Sequence, residues 1–245
     1  MRCRKLAGMR WLLLAPDCSG SFDRTSTTLF YFATTMITNL FIAGTDTNVG
    51  KTVLCALLTA ALDAIYWKPI QSGAAEGTDR EAVCRWAEVP KERTLEECYC
   101  FDPPVSPHLA ALQAGVRIEL DRIQLPEPAR GMRVIAEGAG GILTPLNETE
   151  TILDLALRLR FPVIVAARTT LGAINHTLLT LRALRAARKE TLGVVMLGPE
   201  DAENRLAIER YGNVPVIGHV PWLQSINRKS LIEVFRSNFE KSYFA

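Results

Sequence analysis

No excess of charge of one sign marks this sequence: 28 Lys and Arg stand against 26 Asp and Glu, a formal net charge of +2. There is no basic field to draw nucleic acid and no acidic tail to act as a solvating arm. Nor does any apolar run reach the roughly 18 residues that a membrane helix needs. Among the six cysteines none forms a C-x-x-C pair, the spacing that zinc sites commonly use. Cys98 and Cys100 make C-Y-C, which would point both thiols to one side of an extended segment. Free thiols in a reducing compartment is the plainer reading, and it predicts a cytoplasmic protein. Internal repeats and linker-like stretches are missing too. These absences leave a small-molecule partner as the expectation, with no nucleic acid and no membrane.

What is there suits one α/β domain. The chain has 245 residues, 48% of them hydrophobic and 22% charged, enough for a sizeable core. Residues 1–36 stand apart. Their early Arg and Lys and the short patch "WLLLA" resemble a targeting segment weakly, and "MITNLFIAGTDT" begins at Met36, just before the first clear strand. We read 1–36 as a leader, disordered or preceding a mis-assigned start, and 37–245 as a single domain.

From Thr38 onward strand and helix signals alternate. "NLFIAG", "IYWKPI" (closed by Pro69), "GMRVIAEGAGG" (ending in a glycine-rich turn), "FPVIVAA", "TLGVVML" and "VPVIGHV" read as strands. "GKTVLCALLTAALDA", "GTDREAVCRWAEV", "ETILDLALRLR", "GAINHTLLTLRALRAARK", "AENRLAIERYG" and "KSLIEVFRSNFEKS" read as helices. In "PPVSPHLAALQAG", Ser106 offers an N-cap, Pro107 a first helical position and Gly115 a stop. Strands alternating with helices imply βαβ units in a doubly wound, mainly parallel sheet.

The stretch "IAGTDTNVGKT", from Ile42 to Thr52, departs from a standard pattern. A P-loop reads G-x-x-x-x-G-K-[ST]; here five residues separate Gly44 from Gly50. The setting is nevertheless that of a P-loop, between a predicted strand and a predicted helix. Gly50 permits a turn that side chains would block, and successive N–H groups then face inward at the positive end of a helix. Lys51 supplies a mobile charge for the terminal phosphates and Thr52 a hydroxyl for Mg²⁺. The extra residue puts Thr45 where the first glycine would fall, and Thr47 and Asn48 on the bulge of the loop.

A P-loop alone does not name a reaction. The rest must come from the carboxyl ends of the strands, where doubly wound sheets bind ligands. Lys68 ends "IYWK", before Pro69. A lone lysine there is ordinarily solvated, but paired with Lys51 it would stabilise charge developing on a γ-phosphate. Glu137 ends "MRVIAE" ahead of Gly138, Gly140 and Gly141; a Mg²⁺ partner and a simple turn acid both fit it. Asp79 in "GTDRE" reads better as a helix N-cap.

Six segments then fall in one order: "GTDTNVGKT", "YWKPIQSG", "SPHLAALQAG", "EGAGGILTPL", "LGAINHTLLT" and "VPWL". Together, over about residues 38–225, they resemble the dethiobiotin synthetases, and the longer P-loop spacing is that family's own variant. The resemblance implies a P-loop NTPase-like α/β fold, a homodimer, and ATP-dependent ring closure of 7,8-diaminononanoate with CO₂. It implies ATP at Asn48, Val49, Gly50, Lys51 and Thr52, with Pro221, Trp222 and Leu223 walling the adenine. It makes Lys51 and Lys68 catalytic and assigns Mg²⁺ to Thr52, Asp79 and Glu137. It puts substrate at Thr47, Ser72 and Gly140, and its carboxylate tail at Asn175 across the dimer interface, leaving His176 structural.

Departures from the family pattern are plain. The connection from Thr52 to Lys68 is short. Position 48 is Asn where some members carry Glu, and Thr170 stands where some have Lys. Met196 and Leu197 occupy positions where an Asn for the base is frequent, which bears on base selectivity. Two other readings are weaker. A cobyrinate-type amidoligase needs a glutamine-hydrolysing domain that the remaining length does not accommodate, and a partition or positioning ATPase usually carries a second Lys in its P-loop, absent from "TDTNVGK".

Overall fold

The computed structural model describes residues 39–129 and 131–245; the expectations for residues 1–36 lie outside them. The chain enters at β1 (Leu40–Gly44) and continues through α1 (Lys51–Ala61), β2 (Ile65–Trp67), β3 (Ile70–Ser72), α2 (Asp79–Ala87), β4 (Thr94–Leu95), β5 (Tyr99–Phe101) and α3 (Pro107–Gln113). Then come β6 (Val134–Gly141), α4 (Ile152–Leu159), β7 (Val163–Arg168), α5 (Ala173–Ala186), β8 (Thr191–Leu197), α6 (Ala202–Gly212), β9 (Val216–Val220) and α7 (Arg228–Asn238).

Seven strands form one sheet in the order β4-β2-β6-β1-β7-β8-β9, every neighbouring pair parallel. The strands are continuous apolar runs because both faces are covered. In β1, Phe41 and Ala43 face a core shared with α3, α4, α5 and α6, while Leu40 and Ile42 face one shared with α1, α2 and α7. The order also explains where a ligand must go. After β1 the chain builds one side of the sheet through β2, β4 and β6, then crosses to build the other through β7, β8 and β9. The crevice of such a reversal opens beyond the carboxyl end of β1, where the loop 44–52 lies.

Two expectations are corrected. "IYWKPI" is not one strand: β2 ends at Trp67, and beyond Pro69 the chain enters β3, which pairs with β5 in a separate two-stranded sheet. Proline has no N–H to continue a ladder, and the Pro69 carbonyl instead accepts from the N–H groups of Cys98 and Tyr99. Second, β6 does not stop at Glu137. It runs on to Gly141, its register with β1 shifting between Ile42 and Gly44, so the glycines belong to the strand and Glu137 lies inside it. The short strands β4 and β5 lack enough residues to display a period, and the sequence reading did not anticipate them.

Candidate active site

Helix α1 begins at Gly50, whose φ of +97° lies in the left-handed region. No side chain caps the helix and its first turn has no acid. Its leading N–H groups are therefore open to an anion, with the helix dipole behind them. Glycine is required at position 50 twice over, since a Cβ would also meet the Leu197 Cδ2 at 2.7 Å. Gly44 is required by close approach: a Cβ there would lie 2.7 Å from the Asp46 carbonyl oxygen and 2.9 Å from that of Gly140. Lys51 folds back over the loop and donates to the Asp46 carbonyl (3.0 Å). Arg168, at the end of β7, donates to the Thr47 carbonyl (2.8 Å) and so ties the bulge of the loop to the sheet.

The loop opens into a cleft of about 820 Å³. Thr47, Asn48, Gly50, Lys51, Thr52, Lys68, Ser72, Asp79, Glu137 and Gly140 all line it. Ten positions expected from sequence thus converge on one space, from the loop after β1, the residue following β2, β3, β6 and the starts of α1 and α2. Val49 turns its side chain into the core beneath.

At the centre sits a charged cluster. Glu137 is 1% exposed and Lys68 6% exposed. Glu137 Oε1 accepts from Lys68 Nζ (3.0 Å) and from the Thr52 hydroxyl (3.1 Å), and its Oε2 accepts from the Tyr66 hydroxyl (2.9 Å). Burial, and then the charge of Glu137, push the thiol of Cys55, one turn beyond Lys51, well above its ordinary value. Lys68 pairs in addition with Asp79. Burial opposes the ammonium, but Glu137 and Asp79 outweigh it and raise the Lys68 pKa above the lysine range. Lys51 goes the other way: burial lowers its pKa against the pull of Glu137, and Lys68 adds repulsion. For Tyr66, burial and then Glu137 hold the phenol well above its ordinary value.

Asp79 is not the helix cap. That place belongs to Thr78, whose hydroxyl accepts from the Glu81 N–H (3.2 Å) while Glu81 accepts from the Thr78 N–H (2.9 Å). Asp79, as the first helical residue, is released from capping and turns to Lys68. Its own N–H donates to the Gln71 side chain (3.1 Å), which donates in turn to the Ser72 carbonyl (2.7 Å).

Thr52, Asp79 and Glu137 supply only hard oxygens. Among the described residues no group of three or more His, Cys, Asp or Glu forms a closed cage, and the two carboxylates already share one cation, Lys68. An open, anionic oxygen set of this kind fits Mg²⁺, which completes its shell with water and phosphate oxygens.

Other expected residues lie elsewhere. Pro221, Trp222 and Leu223 follow β9 outside this cleft, with the Trp222 side chain 76% exposed. Met196 and Leu197 are buried at the end of β8; Leu197 lies directly under Gly50 and walls the loop from below, while Met196 faces the core on the other side of the sheet. Asn175 is exposed on the first turn of α5 and lines neither the cleft nor the smaller groove beside it. That groove, about 340 Å³, runs from Thr45–Thr47 past Leu143 to His176 and Leu179. His176, expected to be structural, is exposed on it. Ser106 precedes α3 as expected, but its hydroxyl meets His108 Nδ1 (3.0 Å) rather than a backbone N–H. Cys98 and Cys100 are free and exposed.

Sequence reasoning missed Tyr66, Cys55, Gln71 and Arg168. Tyr66 and Cys55 sit in apolar runs where their polar atoms leave no signal, and only the pairing of distant elements brings them to the site.

A family model described as an AAA domain matches residues 38–230. The ATP-dependent dethiobiotin synthetase BioD of Rhodopseudomonas palustris (strain HaA2) is 45% identical over 84% of this chain and 95% of its own length. The protein of the same name from Nitrobacter hamburgensis is 45% identical over 83% of this chain and 95% of its own. Among solved structures, a ParA family ATPase from Chlorobium tepidum TLS aligns at a TM-score of 0.49 and 11% identity, covering 82% of this chain and 93% of that one.

Proposed function

The chain belongs to the ATP-dependent dethiobiotin synthetase family, and we propose that the cleft beyond β1 carries out that reaction through the residues gathered there. The protein is an ATP-using ligase of biotin biosynthesis acting on small molecules. Diaminononanoate, CO₂ and ATP enter; dethiobiotin, ADP and phosphate leave. One amine captures CO₂ as a carbamate, a carbamate oxygen attacks the γ-phosphorus, and the second amine attacks the carbonyl of the mixed anhydride. The ureido ring closes as phosphate departs.

The observation that carries this assignment is the buried Lys68 held between Glu137 and Asp79, facing an uncapped helix start at Gly50. Phosphoryl transfer asks mainly for positioning and charge stabilisation. The open N–H groups of α1 cradle the phosphates. Lys51 exchanges the Asp46 carbonyl for a γ-phosphate oxygen, and the incoming anion offsets the burial that disfavours its charge. Lys68 stays protonated and steadies the carbamate and the transferring group. Thr47, Ser72 and the Gly140 N–H hold the carbamate, so ring closure proceeds by proximity. Thr52, Asp79 and Glu137 would hold Mg²⁺, which when bound supplies positive charge to the phosphate oxygens.

We further assign a homodimer. Leu143 and Leu179 are exposed apolar residues lining the groove that adjoins the cleft, and Leu171 is fully exposed just before α5. A second copy there would cover them and bring Asn175 and the uncapped start of α5 to the carboxylate tail of the amine. A cytoplasmic location accords with the free thiols of Cys55, Cys84, Cys98 and Cys100, and among the described residues no helix is long and apolar enough to cross a membrane. The adenine assignment of Pro221, Trp222 and Leu223 rests on family likeness.

The test is phosphate release from ATP by purified protein, with and without diaminononanoate and bicarbonate. Release that requires both, with the mass of dethiobiotin appearing in step, is expected. Release indifferent to both would replace this reading with a switch ATPase.

A further inference from the structure

Glu137 is met on both oxygens, and the two sides are unlike. Oε1 faces the cleft and accepts from Lys68 and Thr52, both cleft-lining residues. Oε2 points away, into the core between the sheet and α1, where it accepts from the Tyr66 hydroxyl at 2.9 Å. Tyr66 is 0% exposed and borders neither the cleft nor the groove beside it. It comes from β2, the strand beside β6, where it pairs with Ile135; Glu137 is two residues further along β6. Side chains two apart on a strand share a face, so Tyr66 and Glu137 reach the same side of the sheet. Hydrogen bonds to an ionised carboxylate are shorter and stronger than neutral ones, and a buried carboxylate cannot draw on water in their place.

We propose that Tyr66 is a positioning residue: its buried hydroxyl pins Oε2 of Glu137 and so fixes the plane in which Oε1 meets the Mg²⁺–nucleotide. The inference rests on the proposed role of Glu137 as a Mg²⁺ ligand and extends it to a residue that touches neither metal nor substrate. Partners one step removed from a metal orient the ligand, and their loss typically costs roughly 10–100-fold in metal affinity or activity. A tyrosine that served packing alone would act on folding and leave metal dependence untouched.

The experiment is Tyr66→Phe, which removes one oxygen and keeps the ring. Binding of a non-hydrolysable ATP analogue is measured by calorimetry with Mg²⁺ and with EDTA. The expected result is a weakening of about tenfold with Mg²⁺ and no change without it. Equal effects in both conditions, or none in either, would overturn the positioning role. The same pair of titrations on Glu137→Gln tests the underlying assignment separately: if that variant binds the Mg²⁺ complex as tightly as the parent, the metal reading of Glu137 fails and the role of Tyr66 with it.

Because the Phe variant leaves a buried carboxylate oxygen unpaired, it can fail to fold. A 3-fluorotyrosine placed at position 66 alone keeps the hydroxyl. Its ¹⁹F resonance is expected to shift when Mg²⁺ is added to the nucleotide complex and to stay still when the analogue is added in EDTA. A resonance that ignores Mg²⁺ would refute the proposal.

Discussion

Replacing Lys68 by methionine tests the central cluster most directly, since it keeps the apolar stem and removes only the charge. In the parent, Lys68 and Glu137 are both buried and 3.0 Å apart. Removing one partner of such a pair costs about 3–5 kcal/mol, because the other charge stays in the core uncompensated. The Thr52 and Tyr66 hydroxyls still donate to Glu137, and the Asp79 side chain is partly exposed to water, which points to the lower end. A loss of about 3 kcal/mol in a domain of this size lowers Tm by about 6–12 °C. The control is the double variant Lys68→Met with Glu137→Gln. It removes both charges and leaves an amide for the two hydroxyls, so its Tm should recover to within about 3 °C of the parent. Both variants should be inactive in phosphate release. Thermal melts by circular dichroism decide the matter. A single variant that melts with the parent, or a double variant no better than the single, would refute the burial argument.

Lys51→Met should abolish turnover, yet without nucleotide it should melt above the parent at neutral pH. The folded pKa of Lys51 lies below the ordinary lysine value near 10.5. Between those two values the unfolded chain binds more protons, so the parent gains stability as pH rises; the gap between variant and parent should close by about pH 10.5. A gap that widens with pH would contradict the direction of the shift. Gly50→Ala forces a side chain into a left-handed residue, at about 1–2 kcal/mol, and against Leu197; ATP binding by calorimetry should be lost, and tight binding would mean that the loop does not cradle the phosphates as described. Thr78→Ala removes the capping box, at about 1 kcal/mol, and loosens Asp79. Its turnover should fall further at low Mg²⁺ than at high, and an equal fall at both would disconnect Asp79 from the metal.

Much of this protein was legible before the fold was seen, and for a common reason: the signals were local. A glycine after a strand and before Lys-Thr specifies an uncapped helix start because only the backbone is involved. Apolar runs of strand length bounded by helices specify a parallel sheet covered on both faces. The order of six short segments was enough to indicate the family. What was not legible depended on elements far apart in the chain. From residues alone Asp79 looked like a cap; the T-x-x-E pattern of Thr78 and Glu81 was a local signal against that, but only the fold shows Asp79 turned to Lys68. Glu137 looked like the end of a strand, because the register shift that carries β6 on to Gly141 arises in its pairing with β1. Tyr66 looked like core.

The sequence by itself therefore determined the phosphate loop, the class of fold and the family, all of which rest on patterns within a few residues or on their order. Only the tertiary structure decided that Lys68 is buried rather than solvated, that Glu137 is gripped from both sides, and that Trp222 and Asn175 stand apart from the cleft. Burial and pairing are properties of surfaces brought together, and the charge on a lysine at a strand end is stabilised or opposed by groups that lie up to 69 residues away along the chain.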